Sequence, residues 1–201
     1  MSDSIERVGV IGAGQMGAGI AEVSARGGVD VLVFETTDAL VAAGRTRSTQ
    51  SLERAAAKGK LTEQERDDAL GRLAYTTALS DLADRQLVIE AVIEDEAVKS
   101  KIFAELDQVV VDPDAVLASN TSSIPVMRIA AATQNPHRVL GLHFFNPVPV
   151  LPLVELVTTL VTSDSAASRA EEFAETVLGK QVVRCSARSG FVVNALLVPS
   201  L

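Results

Sequence analysis

Only one cysteine, Cys185, occurs in the 201 residues, so no intrachain disulfide can form and nothing ties the chain to an oxidising compartment. Basic charge is also short. Eighteen Lys and Arg face 26 Asp and Glu, a net charge of −8. Nucleic-acid binders need a basic footprint, so the balance argues against that class of partner. A phosphorylated small ligand stays open, because helix N-termini and a few local lysines bind phosphate inside an acidic protein. Long apolar runs are missing as well: Pro147, Pro149, Pro152 and Glu155 break the longest, which argues against a membrane partner. Met1 to Arg7 lack the basic stretch and apolar core of a secretory signal, so a cytoplasmic location is expected. No internal repeat and no low-complexity stretch is visible.

What is present is ordinary for a globular protein: 47% hydrophobic and 22% charged residues. The length suits one well-buried α/β domain, or one domain with the start of a second. Arg7–Ile11 is a short apolar run that ends at Gly12, a buried-strand pattern. Helical spacing runs from Gln15 to Ala25 and closes at Gly27-Gly28. Asp30–Glu35 reads as a second strand. A helix over 36–58 ending near Gly59, then a capping box at Thr62–Glu65, predict a helical pair over about 36–71. Strands follow at Leu73–Thr76 and Gln86–Val92. A helix with Val98, Ile102, Phe103 and Leu106 on its apolar face comes next, then a strand at Ala115–Ala118 and a helix after Pro125. Strands at Arg138–Phe144 and Leu153–Thr158, a helix over Ser165–Leu178 and a strand at Gln181–Arg184 complete the series. An apolar helix is expected to start after Ser189-Gly190-Phe191. Strands alternating with helices imply a parallel sheet covered on both faces.

Gly12-Ala13-Gly14-Gln15-Met16-Gly17 fits G-x-G-x-x-G. The pattern is weak alone, but here an apolar strand precedes it and a helix follows at once, the setting of a dinucleotide loop. The first glycine permits the turn, the second lets a pyrophosphate approach the backbone, and the third lets helix and strand pack closely. Glu35 stands 18 residues after Gly17, where such folds place the carboxylate that holds the adenosine ribose. A carboxylate there repels a 2′-phosphate, and Thr36, Thr37 and Asp38 offer no arginine to bind one. NAD is therefore expected rather than NADP.

Two histidines are available. His137 follows Asn135-Pro136 in a loop and reads as solvated. His143 ends a strand, and ligands of open parallel sheets bind beyond the carboxyl ends of strands. A core histidine bonded to a backbone carbonyl is the plain alternative. Glu155 shifts the balance, because an unpaired carboxylate within Leu153–Val157 would be costly. Alternation sets it on the face opposite Val154 and Leu156. With His143 it would make a general base oriented by a carboxylate, suited to removing a hydroxyl proton as hydride leaves; a structural ion pair is the other reading. The cluster Ser119-Asn120-Thr121-Ser122-Ser123 offers hydroxyls to a substrate, or Ser123 as a helix cap. No metal-ligand spacing is seen.

The glycine loop, the SNTSS cluster and the stretch His143-Phe144-Phe145-Asn146-Pro147-Val148-Pro149, with Glu155 twelve residues after the histidine, resemble the 3-hydroxyacyl-CoA dehydrogenases over essentially the whole chain. The likeness is to the bacterial 3-hydroxybutyryl-CoA type. It implies a Rossmann-type, doubly wound, mostly parallel sheet with an inserted helical pair. It implies NAD as cofactor, an acyl-CoA thioester as substrate, and reversible oxidation of an L-3-hydroxyacyl-CoA in fatty-acid metabolism. By that resemblance His143 is the base and Glu155 its partner. Ser122 bonds the substrate beside the nicotinamide and Asn194 contributes to the substrate site. Glu94, Lys99 and Asn146 contact NAD, and Ser51 and Lys58 contact CoA.

The resemblance divides the chain into an NAD-binding domain over 1–188 and the start of a second, helical domain over 189–201, which in the family continues and carries the dimer contacts. Ala195 replaces an arginine common there. A related hydroxy-acid dehydrogenase and an NAD-binding fragment with little turnover are the competing expectations.

Overall fold

The computed structural model describes residues 4–186. Eight strands form one sheet in the order β3-β2-β1-β4-β5-β6-β7-β8, namely β1 (Arg7–Ile11), β2 (Asp30–Phe34), β3 (Leu73–Thr76), β4 (Leu87–Glu90), β5 (Val116–Ser119), β6 (Val139–Phe144), β7 (Leu153–Thr158) and β8 (Gln181–Ser186). The helices are α1 (Gln15–Arg26), α2 (Asp38–Ala57), α3 (Glu63–Gly71), α4 (Glu96–Val109), α5 (Val126–Ala130) and α6 (Asp164–Glu172). Strand order reverses between β1 and β4, so the crevice beyond their carboxyl ends is the expected ligand site of such a sheet.

Period-two alternation divides the strands between two cores. Val8, Val10, Val31, Val33, Leu140, Leu142 and Phe144 bury one face with Ile20 of α1 and Ala170 of α6. Val88, Leu117, Val139 and Val157 bury the other with Phe103 and Leu106 of α4 and Ile129 of α5. The Thr62 capping box forms as expected, with its side chain accepting from Glu65 N and Glu65 accepting from Thr62 N. On α2 the buried positions are Gly44, Ser48 and Leu52, a narrow i, i+4, i+8 stripe. Gly44 lies against the glycine loop, where an added Cβ would stand 2.3 Å from that of Ala13.

The sheet is not parallel throughout. β1 to β6 run parallel, but β7 returns antiparallel to β6 and β8 runs with β7. A parallel return needs a crossover of a dozen or more residues, whereas only Phe145 to Pro152, three of them proline, separate the two strands. The helix expected over Ser165–Leu178 is α-helical only to Glu172. Phe173–Val177 forms one π-helical turn, in which Leu178 N reaches back to Phe173 O and the Thr176 hydroxyl takes the Glu172 carbonyl. Glu35 lies one residue beyond β2 rather than at its end. No helix of the described residues is long and apolar enough to cross a membrane. The helix expected after Ser189 lies outside the described residues.

Candidate cofactor and active site

The glycine loop turns out of β1 into α1 with each glycine meeting a separate demand. Gly12 has φ +93, and at Gly17 a Cβ would stand 1.8 Å from Gly12 O, so only hydrogen fits there. Around Gly14 nothing lies within 4 Å of an added Cβ, an open approach to the backbone. The first turn of α1 carries no acidic residue and Gly14 supplies no side-chain cap, so no group of the helix itself covers the amide end that faces that opening. These features fit a dinucleotide pyrophosphate. Glu35 accepts from Ala13 N at 2.6 Å and from Thr36 N at 3.3 Å, which places its carboxylate against the loop. As expected, residues 36–38 bring no arginine, but one from farther along the chain reaches the loop. Arg47, two turns into α2, donates to Ala13 O at 2.5 Å. Sequence spacing hides it because α2 folds back over the loop.

A buried ionic network joins the carboxyl ends of β4 and β5. Glu90, fully buried, accepts from Lys99 Nζ at 2.6 Å, Ser119 Oγ at 2.7 Å and Val92 N at 2.7 Å. Lys99, 1% exposed, also meets Glu94 at 3.3 Å. Glu94 in turn accepts from the Thr121 hydroxyl at 2.5 Å, from the Ser122 and Ser123 amides at 2.9 and 3.1 Å, and from the Ser123 hydroxyl at 3.1 Å. Burial pushes the Glu94 carboxyl up, but the Thr121 bond, the Lys99 charge and the two amides outweigh it and hold the group at about 2, against an ordinary 4.5. Ser123 therefore does not cap a helix; Pro125 is the N-cap of α5, with no side-chain bond. Sequence reasoning missed Glu90. Its signal was the one that exposed Glu155: a carboxylate inside an apolar strand, with a lysine nine residues on.

At the end of β6, His143 stands directly opposite Glu155 in the antiparallel pairing. Its Nδ1 lies 2.8 Å from Glu155 Oε2, with both residues buried. A carboxylate only accepts, so Nδ1 is the donor in this bond and the work of a base falls to Nε2. Phe145 packs on the imidazole at 4.6 Å between ring centres. Asn120 Oδ1 accepts from Phe144 N at 2.8 Å, tying the serine-rich turn to the strand that carries the histidine. His137 is exposed in a short 3₁₀ turn, Pro136–Arg138, as expected of a solvated residue.

Asn146 accepts from Gln15 Nε2 at 3.1 Å, so the segment after β6 reaches the glycine loop. Between α1, α2 and this segment lies a cleft of about 170 Å³ lined by Gln15, Gly19, Ser48, Ser51, Arg54 and Asn146, among others. The structure thus joins Ser51 to Asn146 and the loop. Lys58 caps the far end of α2, exposed and outside the cleft lining. Asn194 lies outside the described residues. Among the described residues no group of three or more metal-ligating side chains occurs.

Residues 7–188 match the family model described as "3-hydroxyacyl-CoA dehydrogenase, NAD binding domain". A 3-hydroxybutyryl-CoA dehydrogenase of Mycobacterium tuberculosis is 77% identical over all 201 residues, which cover 70% of that relative. The crystal structure of FadB2 from M. tuberculosis superposes with a TM-score of 0.96 at 76% identity, covering 97% of this chain and 68% of that one. (S)-3-hydroxybutyryl-CoA dehydrogenase PaaH1 from Ralstonia eutropha superposes with a TM-score of 0.93 at 42% identity, covering 96% and 68% respectively.

Proposed function

The chain belongs to the 3-hydroxyacyl-CoA dehydrogenase family, and from that premise we propose that it interconverts L-3-hydroxybutyryl-CoA and acetoacetyl-CoA with His143 as the base. It is an NAD-dependent oxidoreductase by family, and its relatives are named for acyl-CoA substrates. The four-carbon acyl group is the reading that the names of the bacterial relatives support. Residues 1–188 are read as the NAD-binding domain and 189–201 as the start of a second. The glycine loop and Glu35 would hold the dinucleotide, with Gln15, Glu94, Lys99 and Asn146 toward its nicotinamide half. Ser51 in the cleft and Lys58 beyond it would hold CoA.

The neutral His143 ring donates Nδ1–H to Glu155 and accepts the substrate hydroxyl proton at Nε2. Bound NAD supplies the acceptor for the hydride that leaves C3. As the proton arrives, the ring becomes an imidazolium, and the buried Glu155 carboxylate compensates that charge. Ser122, held on Glu94 by its amide at 2.9 Å and more loosely by its hydroxyl at 3.5 Å, would turn that hydroxyl to the substrate oxygen and orient it toward Nε2. In reduction the same groups run in reverse, with His143 returning the proton to the C3 oxygen.

The observation that carries this reading is the buried His143–Glu155 pair at a strand end, 2.8 Å apart. NADH oxidation with acetoacetyl-CoA, against free acetoacetate and against NADPH, tests it. Turnover confined to the CoA thioester with NADH is the expected result. Equal turnover with the free acid would replace it by the hydroxy-acid reading. NADH binding with no thioester-dependent turnover would leave a binding module.

A further inference from the structure

Glu90 is as fully buried as Glu155, yet neither the cofactor loop nor the proton path uses it. It ends β4, where it stands opposite Ser119 of β5 in the parallel register. Its two oxygens divide their work. Oε1 takes Lys99 Nζ and Val92 N, while Oε2 takes the Ser119 hydroxyl, whose oxygen accepts from Thr121 N at 3.3 Å. Lys99 comes from α4, at the fourth position of that helix, and would carry an uncompensated buried charge without these carboxylates. Its second contact, Glu94, is the acceptor on which the backbone of residues 122 and 123 converges.

We infer that Glu90 is a positioning residue of the dehydrogenase site, holding Lys99 so that Lys99 fixes Glu94 and Glu94 fixes the turn that presents Ser122. Two routes lead from one carboxylate to that turn: through Lys99 and Glu94, and through the Ser119 hydroxyl to the Thr121 amide. The first carries the greater share because both of its links join opposite charges, at 2.6 and 3.3 Å, whereas the last bond of the second is a neutral one at 3.3 Å. The ammonium sits between two carboxylates at unequal distances, 2.6 and 3.3 Å. Neutralising the nearer one releases Lys99 to move toward Glu94, and the Glu94 carboxylate that holds two amides and three hydroxyls, that of Ser122 among them, moves with it. A misplacement of a reacting or binding group by a fraction of an ångström to an ångström is expensive in rate. The inference rests on the reading of Ser122, Glu94 and Lys99 as cofactor and substrate contacts.

The test uses Glu90→Gln, Lys99→Met, the double variant, and Asp107→Asn as a control. Asp107 forms a separate buried ion pair, with Arg138 at 2.9 Å, away from the crevice. For each protein the melting temperature, the NADH dissociation constant and the acetoacetyl-CoA reduction rate are measured well below melting. Asp107→Asn is expected to lower the melting temperature alone. Glu90→Gln should weaken NADH binding and lower turnover, each by about 10-fold, the effect of one misplaced charged hydrogen bond. In the Lys99→Met background, Glu90→Gln should cost less than about twofold further, because most of its effect passes through Lys99 and only the weaker Ser119 route remains. The double variant leaves no lone charge from the Glu90–Lys99 pair and keeps the test readable if Glu90→Gln alone folds poorly. The inference is overturned if Glu90→Gln shifts only the melting temperature, or if its kinetic loss multiplies with that of Lys99→Met. If instead no variant or parent turns over the thioester while NADH affinity still follows the expected pattern, the substrate reading fails and the positioning role stands.

Discussion

Replacing Glu155 by Gln removes one charge and keeps the shape of the side chain. The glutamine oxygen can still accept from His143 Nδ1, so the tautomer with a basic Nε2 survives and only the electrostatic support is lost. At 2.8 Å and an effective dielectric near 20, a carboxylate and an imidazolium attract by about 6 kcal/mol, which is a ceiling. The amide dipole recovers part of that, and the neutral ring before proton transfer already draws some benefit from the carboxylate. About 2–4 kcal/mol of selective support for the imidazolium is then lost, which corresponds to a fall in kcat of about 30- to 1000-fold. NADH affinity should stay within about twofold, because Glu155 is fully buried and bonds His143, which belongs to the proton path rather than to the cofactor contacts. Steady-state reduction of acetoacetyl-CoA, followed by loss of NADH absorbance, gives kcat, and fluorescence titration gives the affinity. A variant that kept more than a third of the parent kcat with normal NADH binding would refute the charge-compensation argument and leave the pair a structural one.

The base itself should be harder to lose: His143→Gln is expected to lower turnover by about 10²–10⁴-fold with NADH binding retained, and single-turnover kinetics with saturating NADH would check it. Glu35→Gln should narrow the preference for NAD over NADP, measured as a ratio of calorimetric dissociation constants; an unmodified protein that binds NADPH as tightly as NADH would contradict the assignment. Gly17→Ala forces a Cβ to within 1.8 Å of Gly12 O, so the loop must shift, and a loss of NADH affinity of about 10-fold or more is expected with lower melting temperature. Glu94, held at about 2 against 4.5, stabilises the fold above pH of about 4.5, and that contribution is lost as pH falls toward about 2. The difference in melting temperature between the parent and Glu94→Gln should therefore shrink across that window.

Local rules carried the sequence reading far because most of the fold is local. Thr62 and Glu65 announce their helix by spacing alone, and the Gly12 turn is marked by its neighbours on both sides. His143 and Glu155 were legible as a pair because each is anomalous in its own strand. What escaped is tertiary. Arg47 reaches Ala13 only because Gly44 lets α2 lie on the glycine loop, and nothing in the spacing of 34 residues says so. Lys99 reads as one more charged residue on a helix, and its burial depends on carboxylates contributed by a strand end and a loop. The reversal of β7 was readable in principle from the shortness of the segment after Phe144, but strand-helix alternation elsewhere outvoted it.

That reversal has a consequence for how the chain finds its register. Because β6 and β7 pair antiparallel, sliding one past the other by a single residue would turn every β7 side chain to the opposite face of the sheet. Glu155 would enter the core now filled by Val154 and Leu156, an unpaired carboxylate among apolar side chains, and those two residues would leave it. The same slip would strand His143. The reactive pair thus doubles as a checksum on strand alignment: a molecule that has mispaired β7 has lost both its chemistry and the solvation of a buried charge, so misaligned copies are the ones least able to persist.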